Sequence, residues 1–393
     1  MLNQEILAKI QDVMDRAVAA KEIAGANVLV EQDGSEQYYG EAGYADVEQG
    51  VPVRRDTLFR LYSMSKPVTG AAVMLLLERG ELDLLDPVSR YIPAFAETLL
   101  HKQEPLRREI TIKDLLGMTS GLPYGGTETA VQRSVQTVFD EACARLQGER
   151  PMGTLELASR LAACGSEFQP GTVWMYGTSA DILGAVVEAA TKKSFGTFLR
   201  EEFFEPLGMK DTGFYVPPEK QPRLSKVYAC KNGELLEYTD SHLAINHDAD
   251  LPPAFESGGA GLLSTADDYM KFASMLLRGG ISREGKRILS PKTVEFFSSP
   301  QLTAEQRAGL DPNYWGNLAG YSYGNLMRVL VEPGQAVMLG TEGEYGWDGW
   351  LGTYFCNSPR DNLSIVLMMQ KTDTGTDVVT KRVRNLIFSS LEA

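Results

Sequence analysis

The chain has 393 residues, 43% hydrophobic and 23% charged, a globular balance that excludes collagen-like, repeat-dominated and disordered polymers. Its formal net charge of −14 argues against a nucleic-acid partner, because holding a phosphate backbone needs clustered cations; the densest basic run is only Lys381-Arg382-Val383-Arg384. The four cysteines lie far apart with no C-x-x-C pair, which indicates neither a zinc ribbon nor a dense disulfide framework, and they are expected to be reduced.

In chain order, residues 3–20 place Ile6, Ile10, Val13, Met14 and Ala17 at helical spacing. The start lacks the basic residues, apolar stretch and cleavage site of a signal peptide. A strand pattern follows from Ala26 to Glu31, and Asp33-Gly34 supplies a hairpin turn into a second strand from Gln37 to Ala42. The longest largely apolar stretch, Val68 to Leu77, is too short to span a bilayer, so a cytoplasmic protein without a membrane span is expected. From Asp86 to Asp250 helical patterns at Ile112 to Leu116, Thr154 to Ala163, Ser179 to Ala190 and Phe195 to Leu207 alternate with Pro- and Gly-rich turns, and no strand signal stands out. The end of the chain returns to strand-like runs at Gly324 to Val331, Ala336 to Gly340, Gly352 to Cys356 and Leu363 to Met369, then a helix from Thr376 to Ser389. This predicts an α/β (α+β) fold: an antiparallel sheet domain flanked by helices, built from residues 1–85 and 251–393, with a mostly helical domain of residues 86–250 inserted between them. Three small domains are the alternative.

Three histidines, at 101, 242 and 247, leave few candidates for a serine, histidine and acid triad, and no G-x-S-x-G elbow exists. No H-E-x-x-H or Cys/His cluster supports a metal, and no cofactor motif is present. A different nucleophile and base are offered by Phe59-Arg60-Leu61-Tyr62-Ser63-Met64-Ser65-Lys66-Pro67. Proline lacks an N–H, so Pro67 belongs in the first turn of a helix beginning near Met64. Ser63 then lies at the helix N-terminus, where free N–H groups and a partial positive charge favour an oxyanion. Lys66, one turn on, shares its face. A capping serine followed by a solvated lysine reads equally well from this motif alone.

Other segments accompany the Ser63-Met64-Ser65-Lys66 run. They are Pro170-Gly171 leading to Tyr176-Gly177-Thr178 and Asp181-Ile182-Leu183-Gly184, then Trp347-Asp348-Gly349 ahead of Trp350-Leu351-Gly352-Thr353. The stretches Leu115 to Leu122 and Ser257 to Asp268 complete the set. In order and spacing these resemble the serine β-lactamase and penicillin-binding-protein superfamily over nearly the full length, and most of all the carboxylesterases related to class C β-lactamases (family VIII esterases).

The resemblance implies an active site in a cleft between a sheet domain and a helical domain, with Ser63 as nucleophile. Lys66 and Tyr176 would form its base, the tyrosine partly as phenolate. The backbone N–H groups of Ser63 and Trp350 would form the oxyanion hole. Thr178 stands where the family has asparagine, and Trp347 where it has a lysine or histidine. Both departures weaken the case for anionic β-lactam or D-alanyl peptide substrates. Trp347, Asp348, Gly349, Thr178 and Tyr124 are the expected substrate-binding residues. The expected activity is cleavage of a small carboxylic ester, or an amide, through an acyl-enzyme. Alternatives are a β-lactamase, D-amino-acid peptidase or transacylase using the same intermediate, and an inactive penicillin-recognising binding protein.

Overall fold

The computed structural model describes residues 2–310 and 315–392. Eight strands form one antiparallel sheet: β1 (Gly25–Gln32), β2 (Ser35–Asp46), β3 (Val51–Pro52), β4 (Tyr321–Gly324), β5 (Met327–Leu330), β6 (Tyr345–Asp348), β7 (Tyr354–Ser358) and β8 (Leu363–Met369), in the order β4-β5-β6-β7-β8-β1-β2-β3. The first and last portions of the chain meet where β1 pairs with β8, Val28 opposite Leu367 and Leu29 opposite Val366.

Strand β1 is buried along its whole length because both faces of the sheet are covered. Helices α1 (Gln4–Ala19) and α5 (Val378–Ser389) cover one face, where Leu7, Ile10, Met14, Val383 and Ile387 pack on Val28, Val30, Ile365 and Leu367. The other face carries Leu29, Val366 and Met368, packed against the core that contains α2 (Ser65–Glu78) and α4 (Ala266–Leu277). Helix α2 is buried from Ser65 to Leu76. It is therefore a central helix with apolar or small residues on every side, not an amphipathic surface helix. Against it lies α3 (Ser179–Thr191), buried from Ser179 to Val187. Among the described residues, no helix is long and apolar enough to cross a membrane, and no group of three or more His, Cys, Asp or Glu is arranged to hold a metal ion.

Two expectations need correction. The middle of the chain does contain strands: Val227–Lys231 and Glu234–Tyr238 form a hairpin across Asn232-Gly233, whose φ angles are +54° and +76°. That dipeptide is the usual signature of such a turn. Leu99–Leu100 also pairs with Glu104–Pro105. Conversely, Ala336 to Gly340 is not a strand. A short 3-10 turn at Pro333–Gln335 precedes it, and Val337 and Leu339 are exposed; the Leu339 N–H is held by Asn385 instead of a neighbouring strand. Local sequence pattern alone misses β4 and β6 on this side.

Candidate active site

The segment before α2 is tied down on every side. Phe59–Arg60 pairs with Leu263–Ser264, and the Gln370 side chain both accepts from the Arg60 N–H and donates to its carbonyl, at 3.1 and 3.0 Å. The Leu61 carbonyl accepts from Thr353 Oγ1 at 2.9 Å, and the Met64 carbonyl from the buried Tyr269 hydroxyl at 2.9 Å. A 3-10 turn, Tyr62–Met64, then runs straight into α2. Within it Tyr62 has φ of +45°, a left-handed conformation that costs a non-glycine residue about 1–2 kcal/mol. The surrounding bonds hold that strain next to Ser63, which is half-buried on the last turn before the α-helix.

Lys66 is fully buried. Its Nζ lies 3.0 Å from Ser63 Oγ, 3.0 Å from the Tyr124 hydroxyl and 2.8 Å from the Gly259 carbonyl oxygen. Burial pulls its pKa down from 10.5 to about 7, against the opposing pull of the Asp181 and Asp348 charges. At neutral pH a large share of Lys66 is therefore a neutral amine with a lone pair.

Tyr176 lies beside this cluster in a different way. Its hydroxyl accepts from the Trp347 indole N–H at 3.1 Å and also interacts with Ser63. Lys66 Nζ sits over the Tyr176 ring, 4.7 Å from its centroid, and makes no hydrogen bond to the hydroxyl among the described residues. Burial raises the phenol's pKa far more than Ser63 and Trp347 lower it, and the Asp348 and Asp181 charges push the same way. Burial of Tyr176 therefore favours the neutral phenol over the expected phenolate.

The other expected substrate-binding residues divide. Tyr124 lines a cavity of about 300 Å³ together with Tyr62, Ser63, Phe139, Tyr176, His242 and Trp350. Trp347 is buried, with its ring against Tyr176 and Tyr323, and holds the tyrosine hydroxyl from behind. Asp348 directs its carboxylate to Thr376 and, at 3.5 Å, to Arg328. Gly349 is buried where a Cβ would come within 2.2 Å of the Leu61 carbonyl oxygen, and its N–H is bonded to the Thr353 carbonyl. It allows the end of β6 to approach the nucleophile turn. Thr178 is buried with its hydroxyl unpartnered and its N–H bonded to the Leu122 carbonyl. None of these four lines that cavity; each packs behind it or supports the turn that carries Ser63.

The Ser63 and Trp350 N–H groups are not taken by any acceptor among the described residues, leaving both available as oxyanion donors. Trp350 is fixed by its side chain: the indole N–H donates to Asp373 at 2.9 Å, and the ring packs between Tyr62, Tyr238 and His242.

Sequence reasoning missed Asp181 and Gly259. Asp181 is buried in the first turn of α3, and its Oδ1 accepts from Ser257 Oγ at 2.5 Å and from the Gly259 N–H at 3.0 Å. It thereby fixes the carbonyl that holds Lys66. Asp181 lies in the stretch that follows the Tyr176 motif and Gly259 in the stretch Ser257 to Asp268, where neither carries a role of its own, and an aspartate after a helix start also reads as a favourable charge at the helix dipole. His242, its ring centroid 4.4 Å from that of Trp350 and tilted to it by 42°, carried no sequence signal.

Comparison with known proteins shows the family of the chain. The family model described as Beta-lactamase matches residues 10–388. The chain is similar to Protein Rv1367c of Mycobacterium tuberculosis, 34% identical over 377 residues that cover 92% of this chain and 88% of the relative. It is similar to Esterase EstB of Burkholderia gladioli, 31% identical over 399 residues covering 98% and 95%. Among solved structures it resembles EstCE1, a hydrolase with promiscuous acyltransferase activity, with a TM-score of 0.83, 26% identity and coverage of 98% of this chain and 99% of the other. By full-length sequence match and shared architecture, the chain belongs to the Beta-lactamase family of serine hydrolases and acyltransferases.

Proposed function

We propose that the chain is a carboxylesterase that cleaves small, uncharged carboxylic esters through an acyl-enzyme on Ser63, with neutral Lys66 as the base. The observation that carries this reading is Lys66 Nζ, buried and 3.0 Å from Ser63 Oγ, at the edge of an aromatic cavity. An amine of pKa about 7 is matched to accepting a serine proton near neutral pH. Ser63 attacks the acyl carbonyl as Lys66 takes its proton. The developing oxyanion is stabilised by the Ser63 and Trp350 N–H groups, donors that commonly contribute ~3 kcal/mol each. Tyr176 acts as a neutral donor toward Ser63 Oγ, because the indole N–H of Trp347 can only donate and so leaves the phenol proton free to point at the serine. Water then attacks the acyl-enzyme, Lys66 again serving as base.

Preference for uncharged esters is supported by the cavity wall, in which no lysine or arginine takes part among the described residues; a carboxylate-bearing substrate finds no cation there. The relatives named as an esterase and as a hydrolase with acyltransferase activity agree with ester chemistry. The test is intact mass measurement after treatment with a fluorophosphonate. Wild type gains one adduct and Ser63→Ala gains none; equal labelling of both proteins defeats the assignment.

A further inference from the structure

We propose that Tyr124 is the residue that hands the proton to the departing alcohol, a role separate from that of Tyr176. The inference rests on Ser63 and Lys66 as nucleophile and base, and adds the path by which the proton leaves Lys66.

Among the described residues, Lys66 Nζ has three hydrogen-bond partners: Ser63 Oγ, the Tyr124 hydroxyl and the Gly259 carbonyl. A carbonyl can only accept, so it carries no proton onward. Once Ser63 Oγ is bonded to the acyl carbon, Tyr124 is the one hydroxyl left in hydrogen-bond contact with the ammonium among the described residues. The Tyr176 hydroxyl is held by Trp347, while Lys66 faces its ring. Tyr124 accepts from Lys66 at 3.0 Å, and its own O–H meets no acceptor among the described residues. The residue lines the same cavity as Ser63, so that free donor is available to a substrate oxygen. Burial keeps the phenol protonated.

Its placement is built into the fold. Pro123 bridges to Gly177, the Thr178 N–H bonds to the Leu122 carbonyl at 3.1 Å, and the Tyr124 and Tyr176 rings pack 5.8 Å apart. A Cβ on Gly177 would come within 1.9 Å of the Leu122 carbonyl oxygen. Only glycine there lets the two tyrosine-bearing loops approach so closely.

The step balances as follows. Ser63 Oγ–H breaks and its proton moves to Lys66 Nζ as the Oγ–C bond forms. When the tetrahedral intermediate collapses, the C–O bond to the alkoxy group breaks. Lys66 passes a proton to the Tyr124 oxygen while the Tyr124 proton moves to the alkoxide. The neutral amine, the intact phenol and the free alcohol result. In deacylation the proton that Lys66 takes from water returns directly to Ser63 Oγ, so Tyr124 is required only when the first leaving group is a poor one.

Leaving-group dependence tests this. For Tyr124→Phe, kcat/KM on ethyl butyrate falls about a hundredfold or more, the usual worth of a general acid. On p-nitrophenyl butyrate, whose phenolate departs without a proton, the loss is at least about tenfold smaller, and an unchanged circular dichroism spectrum and melting temperature show that the variant is folded. An equal loss on both esters, or no loss on ethyl butyrate, overturns the proposal. Lys66→Ala is run in parallel: retention of p-nitrophenyl butyrate turnover in that variant defeats the base assignment itself, an outcome distinct from any result with Tyr124→Phe.

Discussion

Asp181→Asn moves the acid limb of the kcat/KM profile to lower pH. Both hydrogen bonds to this side chain end on Oδ1, an atom that asparagine keeps, so the substitution removes charge while leaving the acceptor that orients Gly259. The link from Asp181 through Gly259 to Lys66 consists of contacts of 3.0 and 2.8 Å, placing the carboxylate roughly 7 Å from Nζ on ordinary backbone dimensions. At an effective dielectric of ~20, a charge at that distance stabilises the ammonium by about 2 kcal/mol, or about 1.5 pH units. Lys66 titrates at about 7 with Asp181 raising it; removing the negative charge disfavours the ammonium, so the limb falls to about 5.5. The assay is hydrolysis of p-nitrophenyl butyrate from pH 4.5 to 9, read at the isosbestic wavelength of the product. At pH 6 wild type runs at roughly a tenth of its plateau and the variant at most of its own, by simple titration of one base. A limb that stays put shows that Asp181 carries no charge in the active form or that Lys66 is not the titrating base. A limb that moves up refutes the electrostatic argument outright.

Trp347→Phe keeps a ring against Tyr176 and removes the indole N–H that donates to its hydroxyl at 3.1 Å; loss of one such bond costs about 1 kcal/mol, so kcat/KM drops about five- to tenfold on both alkyl and p-nitrophenyl esters, measured by steady-state kinetics. Lys66→Met abolishes turnover and raises the melting temperature at pH 7 by several degrees, because it removes a buried amine whose charged form the fold disfavours. The sign follows from the depressed pKa. Below about 7 the group is protonated both folded and unfolded and the whole cost is present; as pH rises toward 10.5 only the unfolded chain still binds the proton as ammonium, so wild-type stability climbs. Denaturant melts of wild type across that range show the slope, and Lys66→Met lacks this contribution.

Much of the scaffold was legible from local rules. Leu363–Met369 reads as a strand from its β-branched and apolar run and is one; Ile112–Leu116 is a helix bounded by a Thr111/Asp114 capping box. Pro67 located the start of α2 to within two residues, because its missing N–H is tolerated only in the first turn. Failures occurred where periodicity misleads. Ala336 to Gly340 is a continuous apolar run that reads as a strand yet has Val337 and Leu339 in solvent, whereas β6 is short and its Trp-Asp pair carries no alternation. Within the site, Ser63 and Lys66 were legible because they share one helix turn. The contacts of Lys66 with Tyr124 and Gly259 join positions 58 and 193 residues away, and spacing within a single sequence holds no information about them.

That non-locality explains why two tyrosines that look alike in sequence differ in chemistry. Each is a half-buried phenol near Ser63, and desolvation makes both poor acids and poor anions. What separates them is the second partner of each oxygen. Tyr176 takes its hydrogen bond from Trp347, a donor that never accepts, so its proton can only be directed forward onto the serine. Tyr124 takes its hydrogen bond from Lys66, a group that alternates between amine and ammonium near neutral pH, so its oxygen can gain a proton as its hydrogen leaves. A lysine at position 347 would also have placed a second cation beside Lys66 and lowered the affinity of that amine for a proton further. With tryptophan there, the fold keeps one titrating cation in the cluster, and its neighbours decide where the proton goes.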